Sequence, residues 1–374
     1  GSLKWDKYAG KDVIPMWVAD MDFASAPEIV EALHARVEHG IFGYTIPYKE
    51  VEDATINYMR KRHDYEVKPD WLVWLPGLVP GLNVASAAYA DFGESIMTAT
   101  PVYPPFLSAP KLRGRELITN HLVHREGRWT FDWEAMENSV KTNTRLFQLC
   151  SPHNPVGRVF DKEELLKLAD FCARHDLVLC SDEIHCDLVL DDNQYPHTCT
   201  ATLSKEIADR TVTLMAPSKT YNIPGLACSF AIIENKTLRE RFVAASKGFL
   251  TEVNCMGYAA CAAAYRDGEP WRQALIAYLR DNVDLLEHYV SQHLPGIEME
   301  RPQATYLAWL NVEALCLGQP ADYFEKYGVG LSSGSMFEDS RYLRLNFGCP
   351  RERLKTALDR IHAAVVSLNA EVKK

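Results

Sequence analysis

The sequence predicts an α/β protein: a mostly parallel sheet flanked by helices, with a smaller α+β domain made from both chain ends. Two observations predict it. Short apolar runs recur through the middle of the chain, at 72–75, 95–98, 145–150, 177–181, 211–215 and 228–233. Each is rich in Val, Ile, Leu or Phe, as strands covered on both faces are. Between two of these runs lies a clear amphipathic helix. Asp161 is its N-cap, Glu164 sits three residues on, and Leu165, Leu168, Ala169 and Cys172 repeat on one face. This is the βαβ rhythm of a doubly covered sheet.

The ends read differently. Residues 25–40 predict one helix, with Ser25 as cap, Pro27 in the first turn and Gly40 as the stop. After about residue 255 the pattern predicts a long helix at 271–293, strands at 306–312 and 342–347, and a closing helix from Arg351. The expected division is therefore a large α/β domain at 41–254 and a small α+β domain from 1–40 and 255–374. A chain of 374 residues is long enough for two domains.

Composition narrows the function classes. The chain is 47% hydrophobic and 24% charged, with a formal net charge of −10. A non-specific nucleic-acid binder needs a basic face, so no nucleic-acid partner is expected. No apolar run reaches the roughly 20 residues of a membrane span; 82–92 is too short and too polar. Nothing at the N-terminus reads as a signal peptide. The ten cysteines are scattered, without a CxxC pair. That favours reduced thiols and a cytoplasmic setting. Cys180, His185 and Cys186 fall close together, but their spacing matches no zinc pattern. Core packing is the expectation there, and no metal is predicted.

Ligands of open α/β sheets bind beyond the carboxyl ends of the strands. After the run ending at Met215 come Pro217, Ser218 and Lys219. After the run ending at Ser181 come Asp182, Glu183, Ile184 and His185. After Cys150 comes the turn 151–157, SPHNPVG. Taken singly, these are a solvated lysine, a structural carboxylate and a tight turn. A carboxylate that follows a buried run needs a partner. Three polar motifs after three strand ends converge on one edge of the sheet.

The set SPHNPVGR at 151–158, SDEIH at 181–185, SKTYNIPGL at 218–226 and YLRLNFG at 342–348 resembles fold-type-I pyridoxal-phosphate enzymes. It is similar to the class I/II aminotransferase superfamily over essentially the whole chain. The order of the motifs, with PMWVADMDF at 15–23, is specific where any single one is weak.

The resemblance implies pyridoxal 5'-phosphate as cofactor, carried covalently on Lys219. A lysine reacts so only when neutral, and desolvation lowers its pKa. The freed amine would then take the Cα proton. Asp182 would pair with the ring nitrogen and keep it protonated. Asn154 would donate to the phenolic oxygen, with His185 also at the cofactor. Tyr103, in PVYPPF, would stack on the ring; a core aromatic is the alternative. Arg344 would clamp the α-carboxylate of an amino-acid substrate, with Ala19 and Asn154 beside it. Tyr342 and Asn346 share its strand face.

The phosphate would lie on the backbone N–H groups of Leu78 and Val79, at the start of a helix, with the Ser218 hydroxyl. Many aminotransferases carry a phosphate-binding arginine eight residues after the lysine; here that position is Ala227. Tyr44, in GYT, resembles the tyrosine that reaches the phosphate of a neighbouring subunit, which implies a homodimer with shared sites. Its alternative is a loop aromatic after Gly43.

Within that superfamily, DEIH places His185 where many aminotransferases have tyrosine. SLKWDKY at 2–8, PMWVADMDF and LRLNFGCPR at 343–351 resemble the cystathionine β-lyase or cysteine-S-conjugate lyase branch. That implies α,β-elimination to a thiol, pyruvate and ammonia, with Tyr44 or Tyr103 assisting departure of the thiolate. Transamination is the alternative, with Arg113, Arg115 or Arg266 available for an acidic side chain. A third reading is a non-catalytic, effector-binding domain of the kind found in some transcription regulators.

Overall fold

The computed structural model describes residues 1–372. Its larger sheet has seven strands, in the order Leu72–Leu75, Ser229–Ile232, Thr211–Met215, Val178–Asp182, Thr144–Cys150, Ser95–Thr100 and Glu116–His121. Ser229–Ile232 is antiparallel to both its neighbours, and every other pairing is parallel. Six of these strands follow the apolar runs. Glu116–His121 was not among them. It is one of the two edge strands, with Glu116 and His121 exposed, so it did not need a continuous apolar sequence.

This topology builds the site. Five parallel strands deliver Pro76–Leu78, Pro101–Tyr103, Ser151–Asn154, Glu183–His185 and Ala216–Lys219 to one edge of the sheet. The single antiparallel strand enters from that edge, so Ala227 and Cys228 join the same group.

Helices cover the sheet. Leu78–Tyr89 buries Leu82 and Ala85 in one apolar cluster with Leu214 and Ala231. Lys162–Arg174 carries the capping box: Asp161 Oδ1 accepts from the Glu164 N–H at 2.8 Å, and Glu164 Oε2 from the Asp161 N–H at 3.0 Å. Helices Pro27–His39 and Cys255–Asp267 pack with Lys49–His63 in a cluster that includes Phe230 and Ile232 of the larger sheet. The first of these helices departs from expectation at its start. Ala26, not Ser25, is the N-cap, and the Ser25 hydroxyl donates instead to the Asn222 carbonyl at 3.3 Å. Gly40 does stop it, in the left-handed region at φ 72°.

A second, antiparallel sheet orders Glu298–Met299, Leu307–Asn311, Tyr342–Asn346 and Ser332–Ser333. Leu343 and Leu345 point into a core shared with Leu279, Val283 and Leu286 of Glu269–His293, and with Leu354 and Leu358 of the closing helix. Strand alternation then sends Tyr342, Arg344 and Asn346 to the opposite face. Residues 14–15 pair with 329–330. From there segment 17–22 crosses to the carboxyl edge of the larger sheet.

Candidate active site

A cavity of about 190 Å³ lies at that edge, lined by Lys219, Asp182, Asn154, Tyr103 and His185 among others. Lys219 brings an amine to it. The ε-amine is partly buried and donates to the Ala19 carbonyl at 2.5 Å. Burial and the nearby Arg344 guanidinium lower its pKa to about 8, so a neutral amine is accessible near physiological pH.

Asp182 is buried, and among the described residues its carboxylate accepts one hydrogen bond, from the Ile184 N–H at 3.2 Å. With so little to compensate desolvation, its pKa rises to about 7. His185 is buried too, and burial beside Lys219 and Arg344 lowers its pKa to about 3, which keeps the imidazole neutral. Its Nδ1 has no hydrogen-bond partner among the described residues. Asn154 Oδ1 accepts from an Arg344 η-nitrogen at 3.1 Å, so its Nδ2 is the group left to donate to a ligand. Tyr103 is fixed by its backbone N–H, which donates to the Asn154 carbonyl at 3.0 Å.

Arg344 is 5% exposed. Its second η-nitrogen donates to the Trp17 carbonyl at 2.8 Å, and its Nε has no partner among the described residues. The guanidinium lies 4.8 Å from the Phe337 ring centroid. Burial lowers its pKa to about 10, which leaves it cationic at neutral pH.

At the other end of the cavity a helix begins. Gly77 is the N-cap of Leu78–Tyr89, and the N–H groups of Leu78 and Val79 lie in its first turn, where no intrahelical acceptor exists. Ser218, Ala227 and Ser229 complete this end. No arginine lines the cavity, so a dianion here would rest on backbone N–H groups, hydroxyls and the helix dipole. Tyr44 is fully exposed and does not line the cavity of its own chain. Arg113, Arg115 and Arg266 do not line it either. Arg113 donates to Asn83, Arg115 to the Ala90 carbonyl, and Arg266 pairs with Asp267 and Glu50.

Segment 17–22 reaches the cavity through Ala19, and its role was only partly visible in the sequence. Every carbonyl from Trp17 to Met21 accepts a side-chain donor. Arg344 and Ser332 reach Trp17, Asn346 reaches Val18 and Asp20, Lys219 and Tyr306 reach Ala19, and Asn222 reaches Met21. Tyr306 was missed. It is buried, its hydroxyl donates to Ala19 at 3.0 Å, and its ring meets His185 edge-on. Asp20 was missed as well, although it lies inside the motif that singled out Ala19.

Elsewhere, a larger polar cleft of about 400 Å³ opens beside Arg128, Arg280 and Arg301. Arg128 and Arg301 are paired with Asp161, Glu287 and Asp284. Cys180 and Cys186 are buried in separate apolar clusters. Two buried triads, His63–Cys186–Asp187 and Glu183–His197–Cys199, bring metal-ligand atoms together. Their members already bond each other, His63 to Asp187 at 3.0 Å and His197 to Glu183 at 2.9 Å. Arg62 stands 3.5 Å from Asp187, against a dication.

The model of the family "aminotransferase class I and II" matches residues 11–361. The chain belongs to that family. Cystathionine beta-lyase PatB of Bacillus subtilis (strain 168) is 39% identical, over 97% of this chain and 96% of its own length. A crystal structure of OvoB superposes with a TM-score of 0.96 at 44% identity, covering 98% of this chain and 96% of that one. The PLP-bound C-S lyase from Staphylococcus hominis superposes at 0.91 with 32% identity, covering 98% and 95%. The architecture is that of the fold-type-I pyridoxal-phosphate transferases.

The cavity of this class I and II family member fits pyridoxal phosphate on three local grounds. Asp182 is an under-bonded buried carboxylate that a ring cation would satisfy. The helix start at Leu78 offers free N–H donors to a phosphate. Lys219 is the one lysine lining the cavity, with its pKa already lowered.

Proposed function

We propose that this protein is a pyridoxal-phosphate-dependent carbon–sulfur lyase acting on cystathionine or a related cysteine S-conjugate. The observation that carries the reading is that the buried Arg344 guanidinium bonds Asn154 and acts electrostatically on the Lys219 amine, both of which line the cavity, in a chain 39% identical to a cystathionine beta-lyase. Lys219 would carry the cofactor, Asp182 would face its ring nitrogen, Asn154 and His185 its phenolic side and Tyr103 its ring face. Leu78, Val79 and Ser218 would hold the phosphate. When bound, this group supplies an electron sink conjugated to the substrate Cα.

The chain's own residues supply the rest. Arg344 binds the substrate α-carboxylate through its paired donors and so orients the Cα–H bond. Lys219 takes the Cα proton on Nζ. The C–S bond then breaks with its electron pair leaving on sulfur. Hydrolysis of the remaining unsaturated amino acid gives pyruvate and ammonia. Cystathionine should release pyruvate steadily with no added keto acid; strict dependence on a keto acid would instead identify a transaminase and sink the lyase reading.

We further infer a cytoplasmic homodimer with shared sites. Ile41, Phe42, Tyr44 and Ile46 are exposed apolar side chains on one irregular segment, which suits burial against a second copy. The ten cysteines are all free, which suits a reducing compartment. Among the described residues no helix is long and apolar enough to cross a membrane. Light scattering that returns a monomer of 42.3 kDa at assay concentrations would overturn the dimer.

A further inference from the structure

Asp20 is the acid closest in sequence to the carbonyl that receives Lys219, and its side chain is not accounted for by the fold. Its Oδ1 is buried and has no hydrogen-bond partner among the described residues. The nearest cation outside the cavity is the buried Lys4, 4.0 Å away. That lysine is committed elsewhere: it lies 3.1 Å from Asp22 Oδ1 and donates to the Asp20 backbone carbonyl at 3.2 Å. Asp22, in turn, is held by Arg353 at 2.9 Å and by the Trp5 indole at 3.0 Å. The Asp20 main chain is pinned by Asn346 at 2.6 Å. Asp20 Oδ1 is therefore left without a hydrogen bond one residue from the carbonyl that receives the Lys219 amine, and the two charges influence each other. That amine spends one donor on Ala19, a carbonyl it shares with the Tyr306 hydroxyl.

We propose that Asp20 is a positioning residue for Lys219: its carboxylate holds the ε-ammonium formed when Lys219 takes the substrate Cα proton. In that step the Cα–H bond breaks and the N–H bond forms. The C–H electron pair stays with carbon and becomes the second Cα–Cβ bond as the C–S bond breaks, its own pair leaving on sulfur. The proposal rests on Lys219 being the base of the lyase reading.

Other charges converge on the pair. Arg344, Asp182 and His185 face Lys219, and Lys4, Asp22 and Tyr306 face Asp20. Arg344 opposes the ammonium while Asp20 and Asp182 favour it. Removing the charge of Asp20 alone should therefore make Lys219 easier to deprotonate.

The test uses the cofactor-loaded full chain with Asp20→Asn and Asp20→Glu. Two midpoints are read: the acid limb of the kcat–pH profile on cystathionine, and the pH titration of the visible cofactor band without substrate. Asp20→Asn should move both to lower pH by at least about 0.5 unit, and Asp20→Glu should restore them. Midpoints that stay put or rise in Asp20→Asn overturn the proposal, whatever happens to the rate. If Asp20→Asn does not fold, Asp20→Glu decides alone: wild-type midpoints support a carboxylate role, and lost midpoints overturn it. A wild-type protein that releases no pyruvate would sink the lyase reading, whereas an active enzyme with unmoved midpoints sinks only the role of Asp20.

Discussion

Lys219→Ala is expected to lower pyruvate release from cystathionine by about 10³-fold or more and to leave the folded protein intact. The amine makes one hydrogen bond, to the Ala19 carbonyl, and Tyr306 also donates to that oxygen. Removing it thus leaves no buried acceptor without a donor, and it relieves the cost of a cation in a partly apolar cavity. The thermal midpoint of the cofactor-free protein should stay level or rise. The visible absorbance band of the loaded enzyme should disappear, since no other lysine lines the cavity. Lys219→Arg separates charge from chemistry. It keeps a cation in place but cannot become neutral, so it should be as inactive as alanine. Retention of a tenth or more of wild-type turnover by either variant would remove Lys219 from the role of base.

What the sequence revealed depended on which physical constraint each element obeys. The central strands are covered on both faces and read as largely apolar runs, so five of them were legible; of the two edge strands, Leu72–Leu75 happens to be apolar and was legible, while Glu116–His121 mixes in polar residues and was not. The capping box at Asp161 and Glu164 is a local contract between neighbours in sequence and could be read outright. Ser25 failed as a cap because a distant group, the Asn222 carbonyl, competed for its hydroxyl. The site divides in the same way. Residues just beyond strand ends, such as Asp182 and Lys219, inherit their place from the sheet. Tyr306 and Asp20 act through carbonyls and charges of segment 17–22, an irregular stretch whose path has no period to detect. One hint was available: two acids, Asp20 and Asp22, in a run otherwise apolar from Met16 to Phe23.

Asp182→Asn should produce opposite effects on stability and activity. Burial raises the Asp182 pKa from 3.8 to about 7. Below about pH 4 the acid is protonated in both the folded and unfolded chains, and it costs nothing. As pH rises from about 4 to about 7, the unfolded chain ionises while the folded one holds its proton, so stability falls. Above about 7 the loss is complete, on the order of 4 kcal/mol for a shift of about three units. Asparagine has the same shape and does not titrate. The unfolding free energy of the cofactor-free variant should therefore exceed that of the wild type by an amount that grows between pH 4 and pH 7 and then levels. Urea titrations across that range would show it, and a difference independent of pH would mean that Asp182 is not a strained acid. Activity should move the other way. Without a carboxylate to hold the ring nitrogen protonated, a buried ion pair is lost at the cofactor. Removal of one partner typically costs 3–5 kcal/mol, or roughly 10²–10⁴-fold in rate. A group that destabilises the empty fold and is needed once the site is filled has no structural reason to be there. That asymmetry would separate a cofactor ligand from a core residue without any appeal to resemblance.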